Sequence, residues 1–364
     1  MATTALDGFV IGVTADRRAD EQMELLRRHG ARTLHGPTLR TLPLVADGNL
    51  RAATDAILAA PPDVVVANTA LGVRAWLSAA HSWGVGEDLV SVLRNAEIVA
   101  RGPKAAGSIL TVGCDVRWRS PTGRMSEVID HLLARPLSGV RIASLRDGSV
   151  VDEAALALRV AGAEVVEVET YKWLRPEDEA AAARLLDAVC EHAVDAVTFT
   201  SRAAIANLFA LADERGQSDD VRAACARSVV PVCVGPVCHD AARAHGLSTA
   251  VAPHRSVLGA MVNAAVDALA SRRVNAFALE LSGTVARIGA ARVELTAREA
   301  AVLRALATRA GTVVAKNVLL KDVWGDPSAD AHALEMVVSR LRRQLEPTGV
   351  SIRTVIRRGY MLAG

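Results

Sequence analysis

The 364 residues predict an α/β body that carries a small basic domain at its C-terminal end. Short Val-rich runs alternate with Ala/Leu-rich amphipathic stretches through residues 1–270, the pattern of helices layered on a sheet. One strand–turn–helix passage recurs within that stretch. The charge also changes sign along the chain: residues 1–270 hold 27 Lys and Arg against 32 Asp and Glu, and residues 271–364 hold 15 against 8. Positive charge confined to the tail points to a polyanion partner for the tail alone. Arg outnumbers Lys 38 to 4 over the whole chain, so a single Arg carries little weight. The sign change counts both charges and survives that discount.

The expected strands are Phe9–Thr14, Asp63–Ala67, Glu97–Ala100, Arg141–Ser144, Glu164–Glu169, Asp195–Thr200 and Val229–Val234. Between them, Asp20–His29, Leu50–Ala59, Val150–Ala161, Glu177–Cys190 and Arg202–Glu214 have helical periodicity. Gly30, Gly162 and Gly246 each close such a stretch, where a left-handed C-cap belongs. With 51% hydrophobic and 23% charged residues the chain is not disordered, and with 3% aromatics its core is built from Ala, Val, Leu and Ile. No apolar run approaches the roughly 18 residues of a membrane span. No basic patch followed by an apolar stretch opens the chain, so no secretory leader and no membrane partner are expected. Cys114, Cys190, Cys225, Cys233 and Cys238 form no regular set, which favours free thiols in a reducing cytoplasm. Cys233 and Cys238 flank a Gly-Pro turn beside His239, but a metal needs three or four ligands, so neither a metal nor a cofactor is expected.

The recurring passage is Asp63-Val-Val-Val-Ala-Asn-Thr-Ala-Leu-Gly-Val-Arg-Ala-Trp-Leu, echoed by Asp195-Ala-Val-Thr-Phe-Thr-Ser-Arg-Ala-Ala-Ile-Ala-Asn-Leu-Phe. Each is followed by a strand that ends in Gly-Pro, at Gly102-Pro103 and Gly235-Pro236. Two similar α/β units predict a cleft between them, the usual ligand position in such folds.

Ile11-Gly-Val-Thr-Ala-Asp-Arg-Arg, the two echoes, Arg141-Ile-Ala-Ser-Leu-Arg-Asp-Gly and Tyr171-Lys-Trp-Leu-Arg-Pro stand in an order and spacing that resemble uroporphyrinogen-III synthase over most of residues 7–268. The resemblance implies two HemD-like α/β units, residues 1–38 with 174–270 and residues 46–166, the second inserted in the first. It implies two extended linkers, near Leu39–Val45 and Val165–Arg175. It also implies catalytic positions at Tyr171, which can hydrogen-bond a leaving hydroxyl, and at Ser201. The sequence departs from the family where Asn68-Thr69 replaces a Thr-Ser pair and where Ala105 and Val237-Cys238 replace Thr residues, so hydroxyls that would hold substrate carboxylates are missing. The alternative reading of Tyr171 is a packing residue of a linker. Arg17, Arg18, Arg117, Arg119 and Arg146 are candidate ligands for a small anion or acidic tetrapyrrole, weighed against a surface loop enriched in Arg around Trp118.

Residues 282–364 resemble the winged-helix effector domain of OmpR/PhoB-type regulators, with 271–281 as the linker. Val293-Glu-Leu-Thr-Ala-Arg-Glu opens a helix with a Thr296/Glu299 capping box. Leu319-Leu-Lys-Asp-Val-Trp-Gly, Val338-Ser-Arg-Leu-Arg-Arg-Gln-Leu and Ile352-Arg-Thr-Val-Ile-Arg-Arg-Gly-Tyr follow in family order. Leu334, Val338, Leu341 and Leu345 form one apolar stripe. His332, Ser339, Arg340, Arg342 and Arg343 lie off it or at its border and are the expected contacts to double-stranded DNA, with Thr354, Arg357 and Arg358 on the wing. The plain alternative for these side chains is a solvated basic face. Ile356 stands where the family places Arg, which shifts the wing pair to Arg357-Arg358. Only Asp147 approaches a phosphorylation aspartate, and it lacks the acidic neighbours a receiver needs. The expected function is a cytoplasmic transcription regulator whose body senses a ligand or a second regulator. The two-part architecture resembles regulators of nitrate and nitrite assimilation. The alternative is an active uroporphyrinogen-III synthase with a DNA-binding tail.

Overall fold

Two parallel sheets and a third, antiparallel one organise the computed structural model, which describes residues 4–46, 48–149, 152–270, 274–277 and 279–364. The chain divides into two compact units, Met1–Thr38 with Glu177–Gly364, and Leu39–Pro176. It starts in the first with β1 (Val10–Val13), α1 (Ala19–Arg28) and β2 (Arg32–His35).

The second unit follows with β3 (Arg40–Pro43), α2 (Gly48–Ala59), β4 (Val64–Ala67), α3 (Ala70–Ser82), α4 (Gly86–Asn95) and β5 (Glu97–Ala100). It continues through α5 (Pro103–Leu110), β6 (Trp118–Arg119), α6 (Met125–Leu133), β7 (Arg141–Leu145), α7 (Glu153–Val160), β8 (Glu164–Val168) and β9 (Tyr171–Leu174). The parallel order is β6-β5-β4-β7-β8. Alternation along β4 feeds two cores at once: Val65 and Ala67 face one, Val64 and Val66 the other. The two stretches expected as extended linkers carry β3 and β9, which pair antiparallel from Arg40↔Leu174 to Pro43↔Tyr171. β8 lies within the Val165–Arg175 stretch in part, because its alternating residues pair with β7.

The chain returns to the first unit with α8 (Ala180–Cys190), β10 (Ala196–Phe199), α9 (Arg202–Glu214), α10 (Ser218–Arg227), β11 (Val230–Cys233), α11 (Pro236–Ala244) and α12 (Leu258–Ala270). These complete a parallel sheet in the order β11-β10-β1-β2. The echoed passages now have a physical meaning. Thr69 caps α3 by accepting from Gly72 N at 3.0 Å, and Ser201 caps α9 by accepting from Ala204 N at 3.1 Å. Pro103 and Pro236 open α5 and α11, where a missing N–H costs nothing. Gly30, Gly162 and Gly246 are left-handed, and each is followed by the same closing bond, from Ala31 N to Leu26 O, Ala163 N to Leu158 O and Leu247 N to Ala242 O.

The C-terminal domain adds β12 (Val274–Ala276), β13 (Leu279–Ser282), β14 (Val285–Ile288), β15 (Ala291–Glu294), α13 (Ala297–Ala307), α14 (Lys316–Trp324), α15 (Ala331–Leu345), β16 (Ser351–Val355) and β17 (Gly359–Ala363). β12 to β15 form an antiparallel meander and β16–β17 a hairpin. The 271–281 segment therefore carries β12 and part of β13, while Ser271–Arg273 and Ala278 lie outside the described residues. Its apolar core is separate from that of β1, β10, β11 and α12.

Candidate nucleic-acid interface

The C-terminal domain is built on local rules visible in its sequence. Thr296 Oγ1 accepts from Glu299 N at 3.3 Å while the Glu299 carboxylate accepts from Thr296 N at 2.8 Å, completing the capping box. Leu334, Val338, Leu341 and Leu345 are buried, so α15 turns its opposite face to solvent. Asp330 caps that helix by accepting from His332 N at 2.8 Å, a cap the sequence reading did not identify. On the outer face His332, Ser339, Arg340, Arg342 and Arg343 are all exposed.

These residues do not play one role. The Arg342 guanidinium donates to Ile352 O at 2.8 Å and Thr354 Oγ1 at 2.6 Å and lies 5.8 Å from the Tyr360 ring centre. It fastens α15 to the hairpin, and it engages the Thr354 hydroxyl expected on DNA. Among the described residues, the guanidinium groups of Arg340 and Arg343 make no hydrogen bond or ion pair with the protein and project from the helix. Lys316 pairs with Glu335 at 2.6 Å, tying α14 to α15. At the hairpin tip Ile356 is 82% exposed and Arg357 is left-handed (φ 60°), so Arg357 and Arg358 stand clear of the domain. Arg342→Ala is expected to lower the melting temperature and loosen the hairpin, an effect of about 1–2 kcal/mol read by thermal unfolding without DNA. Arg343→Ala should leave that melting temperature unchanged.

The domain is held against the first unit's body by contacts remote in sequence. Gly8 O accepts from Thr284 N at 3.1 Å. The Asp7 carboxylate pairs with Arg287 and, at 3.3 Å, with Arg292. Within the domain Arg304 donates to Gly283 O at 2.9 Å; burial lowers its pKa and Asp195 of the body opposes that. A cavity of about 310 Å³ lies along this seam, lined by Val10, Thr33 and Ala188 of the body and by Thr284, Leu295 and Ala297 of the domain.

At the same seam His192, left-handed at φ 58°, hydrogen-bonds Ser228 Oγ through Nδ1 and accepts from the Arg227 guanidinium at Nε2, 3.1 Å away. Burial first, then Arg227 and Arg298, hold its pKa down at about 4 from an ordinary 6.5. The fold keeps this imidazole neutral, so between these values the unfolded chain binds more protons than the folded one. The stability His192 contributes is complete above pH 6.5 and is lost as pH falls toward 4. His192→Asn, which tolerates the left-handed backbone, should flatten the slope of unfolding free energy against pH across that window; equal slopes for both proteins would refute the assignment.

The body residues expected to bind a ligand fall in both units. In the second unit Tyr171 is 3% exposed, and its hydroxyl lies 3.1 Å from Thr69 Oγ1, the α3 cap. Arg146 has its charge matched: Nη1 lies 3.5 Å from Glu167 and 3.3 Å from Glu169, and Nη2 donates to Ser149 O at 2.6 Å. The carboxylates come from the β8 end, a pairing sequence spacing alone does not reveal. Arg117 precedes and Arg119 lies on β6, the opposite edge of the sheet from β8; three strand spacings separate β6 from β7, about 14 Å. In the first unit Arg18 is the left-handed residue before α1 and donates to Glu21 at 2.6 Å, while Arg17 is exposed. Ser201 is the α9 cap already described. Ala105 is buried and Cys233 and Cys238 are both buried free thiols, whereas Val237 faces partly outward. The neighbouring Cys238 and burial push the Cys233 thiol pKa up. Among the described residues no group of His, Cys, Asp and Glu is arranged to hold a metal, and no helix is long and apolar enough to cross a membrane.

Comparison with known proteins separates the two parts. Residues 290–362 match the family described as transcriptional regulatory protein, C terminal, and form an OmpR/PhoB-type winged-helix DNA-binding domain. The PetR protein of Rhodobacter capsulatus is 39% identical over 80 residues, 20% of this chain and 34% of its own. A putative uroporphyrinogen-III synthase of Methanothermobacter thermautotrophicus is 25% identical over 248 residues, 68% of this chain and 93% of its own. The crystal structure of a mutant uroporphyrinogen III synthase from the extremely thermophilic bacterium Thermus thermophilus aligns with a TM-score of 0.59 at 25% identity, over 72% of this chain and 99% of that one. Residues 20–263, two thirds of the chain, match the family described as uroporphyrinogen-III synthase HemD, and the chain belongs to that family.

Proposed function

We propose that this protein regulates transcription by binding specific duplex DNA through α15 and the β16–β17 hairpin, with its HemD-like body, two units joined by two extended linkers, acting as the sensor. The observation that carries this reading is the exposed α15 face, where Arg340 and Arg343 project without a protein partner among the described residues, beside a hairpin tip bearing Arg357 and Arg358. Positive charge held ready and unneutralised suits phosphate and guanine contacts. The full chain should retard a duplex from its own promoter region, and a chain ending before β12 should not; equal retardation by both would defeat the reading.

The body's ligand is a small anion, a tetrapyrrole or a second regulator, and Arg17, Arg117 and Arg119 are its best remaining contacts because Arg18 and Arg146 are neutralised by carboxylates. A tenfold change in DNA affinity on adding nitrate, nitrite or uroporphyrin corresponds to about 1.4 kcal/mol of coupling. Control of nitrate and nitrite assimilation is the physiological role we assign, tested by comparing transcripts of a deletion strain grown on nitrate and on ammonium. Active synthesis of uroporphyrinogen III is the second reading, supported by the Tyr171–Thr69 hydroxyl pair. The missing hydroxyls at Ala105 and Val237-Cys238 weigh against it. Incubation with hydroxymethylbilane and chromatographic separation of the type I and type III products should show marginal enzyme-dependent type III isomer.

A further inference from the structure

The seam between the body and the winged helix holds two guanidinium groups that no carboxylate among the described residues neutralises. Arg227 closes α10 on the body, and its described polar partner is the neutral His192 Nε2. Its guanidinium lies against Gly325, where a methyl group would overlap it, at the start of the turn that joins α14 to α15. Arg298, on α13, donates to Val323 O at 2.9 Å and stacks 5.3 Å from the centre of the Trp324 ring. Both arginines are exposed, and neither has an ion-pair partner among the described residues. Glu191 is the carboxylate felt by Arg298 but lies beyond ion-pair reach, and Asp326 is occupied by Ser328 N and Oγ. Burial, together with the repulsion between the two guanidinium groups, lowers the Arg298 pKa.

We propose that Arg227 of the body and Arg298 of the winged helix together hold one phosphate group at this seam. An anion between them would relieve the repulsion and offer each guanidinium a charge-assisted partner. The place also suits a duplex. In a helix–turn–helix the first helix crosses the sugar–phosphate backbone while the second lies in the groove. Arg227 touches the turn that follows that first helix. The body would then be part of the DNA-binding surface, adding a contact that positions the protein without reading sequence. This source of the phosphate rests on the DNA-binding reading above; a free phosphate ion has the same chemistry and does not.

Two probes separate the sources: a duplex of arbitrary sequence titrated at several salt concentrations, and inorganic phosphate followed by thermal unfolding of the full chain without DNA. Arg227→Gln should weaken duplex binding roughly tenfold at low salt and reduce the slope of log affinity against log salt by about one, while Arg227→Lys keeps the slope. That result identifies a backbone phosphate. If duplex binding is unchanged but phosphate raises the melting temperature of the wild type and not of Arg227→Gln, the site holds the free ion. If the wild type binds no duplex at all, the DNA reading fails and the phosphate arm alone decides. Unfolding of Arg227→Gln in the absence of phosphate controls for a folding defect. The proposal is overturned if Arg227→Gln matches the wild type in both titrations.

Discussion

Gly8→Ala is expected to destabilise the full chain by about 2–5 kcal/mol, the largest single-residue effect we anticipate outside the cores. Gly8 is left-handed at φ 90°, which already penalises any side chain. A methyl group there would also overlap the Ser282 carbonyl oxygen, and one on Gly283 would overlap the Gly8 carbonyl. Backbone meets backbone at this point, so no rotamer change relieves the overlap. Urea unfolding should show the lower midpoint. Gly84→Ala provides the comparison. It has φ 78° but nothing within 4 Å, so only the backbone strain applies, about 1 kcal/mol. Equal midpoints for the two variants would mean that the seam contributes nothing to folding.

Arg340→Ala is expected to cost about 1–3 kcal/mol of affinity for the specific duplex and to relax preference at one base pair, as loss of a base-reading Arg does. Its side chain has no structural duty in the free protein, so the unfolding curve should stay where it is. Arg342→Ala reverses the pattern, with lower stability first and weaker binding as a consequence. Measured by fluorescence anisotropy on matched and scrambled duplexes, a uniform loss from Arg340→Ala on both would reassign that residue from base to phosphate.

Most of the regular structure was legible because its causes are local. The Thr296/Glu299 box, the α15 stripe and the helix-closing Gly30, Gly162 and Gly246 each depend on residues within a turn or two of one another. β2 and β3 were not expected as strands, because Arg32–His35 and Arg40–Pro43 lack a run of alternating apolar residues; pairing with β1 and β9 makes them strands. The carboxylate partners of Arg146 were hidden for a related reason. The charge of Arg146 is cancelled by Glu167 and Glu169, which lie over 20 positions away in the chain and beside it only because β7 and β8 are neighbours. The Asp7–Arg287 pair joins residues 280 positions apart, beyond any periodic signal. Ser201 was read for its hydroxyl, and that hydroxyl caps a helix, as the Thr69 hydroxyl does in the other echo. A chemical group and a structural one look alike in sequence when the same atom can serve either purpose.

The winged helix and the body keep separate apolar cores, joined by the Thr284–Gly8 hydrogen bond and the Asp7 ion pairs beside a cavity lined in part by apolar residues. A junction of that kind has a bearing on ancestry. Either partner, separated from the other, would keep its own apolar core and turn outward a face of mixed polar and apolar groups. Joining the two genes would therefore have required few surface changes to yield two folded halves. The Asp7–Arg287 clasp and the close-fitting glycines are then the later refinements, and relatives that lack the effector domain should place ordinary side chains at the position of Gly8.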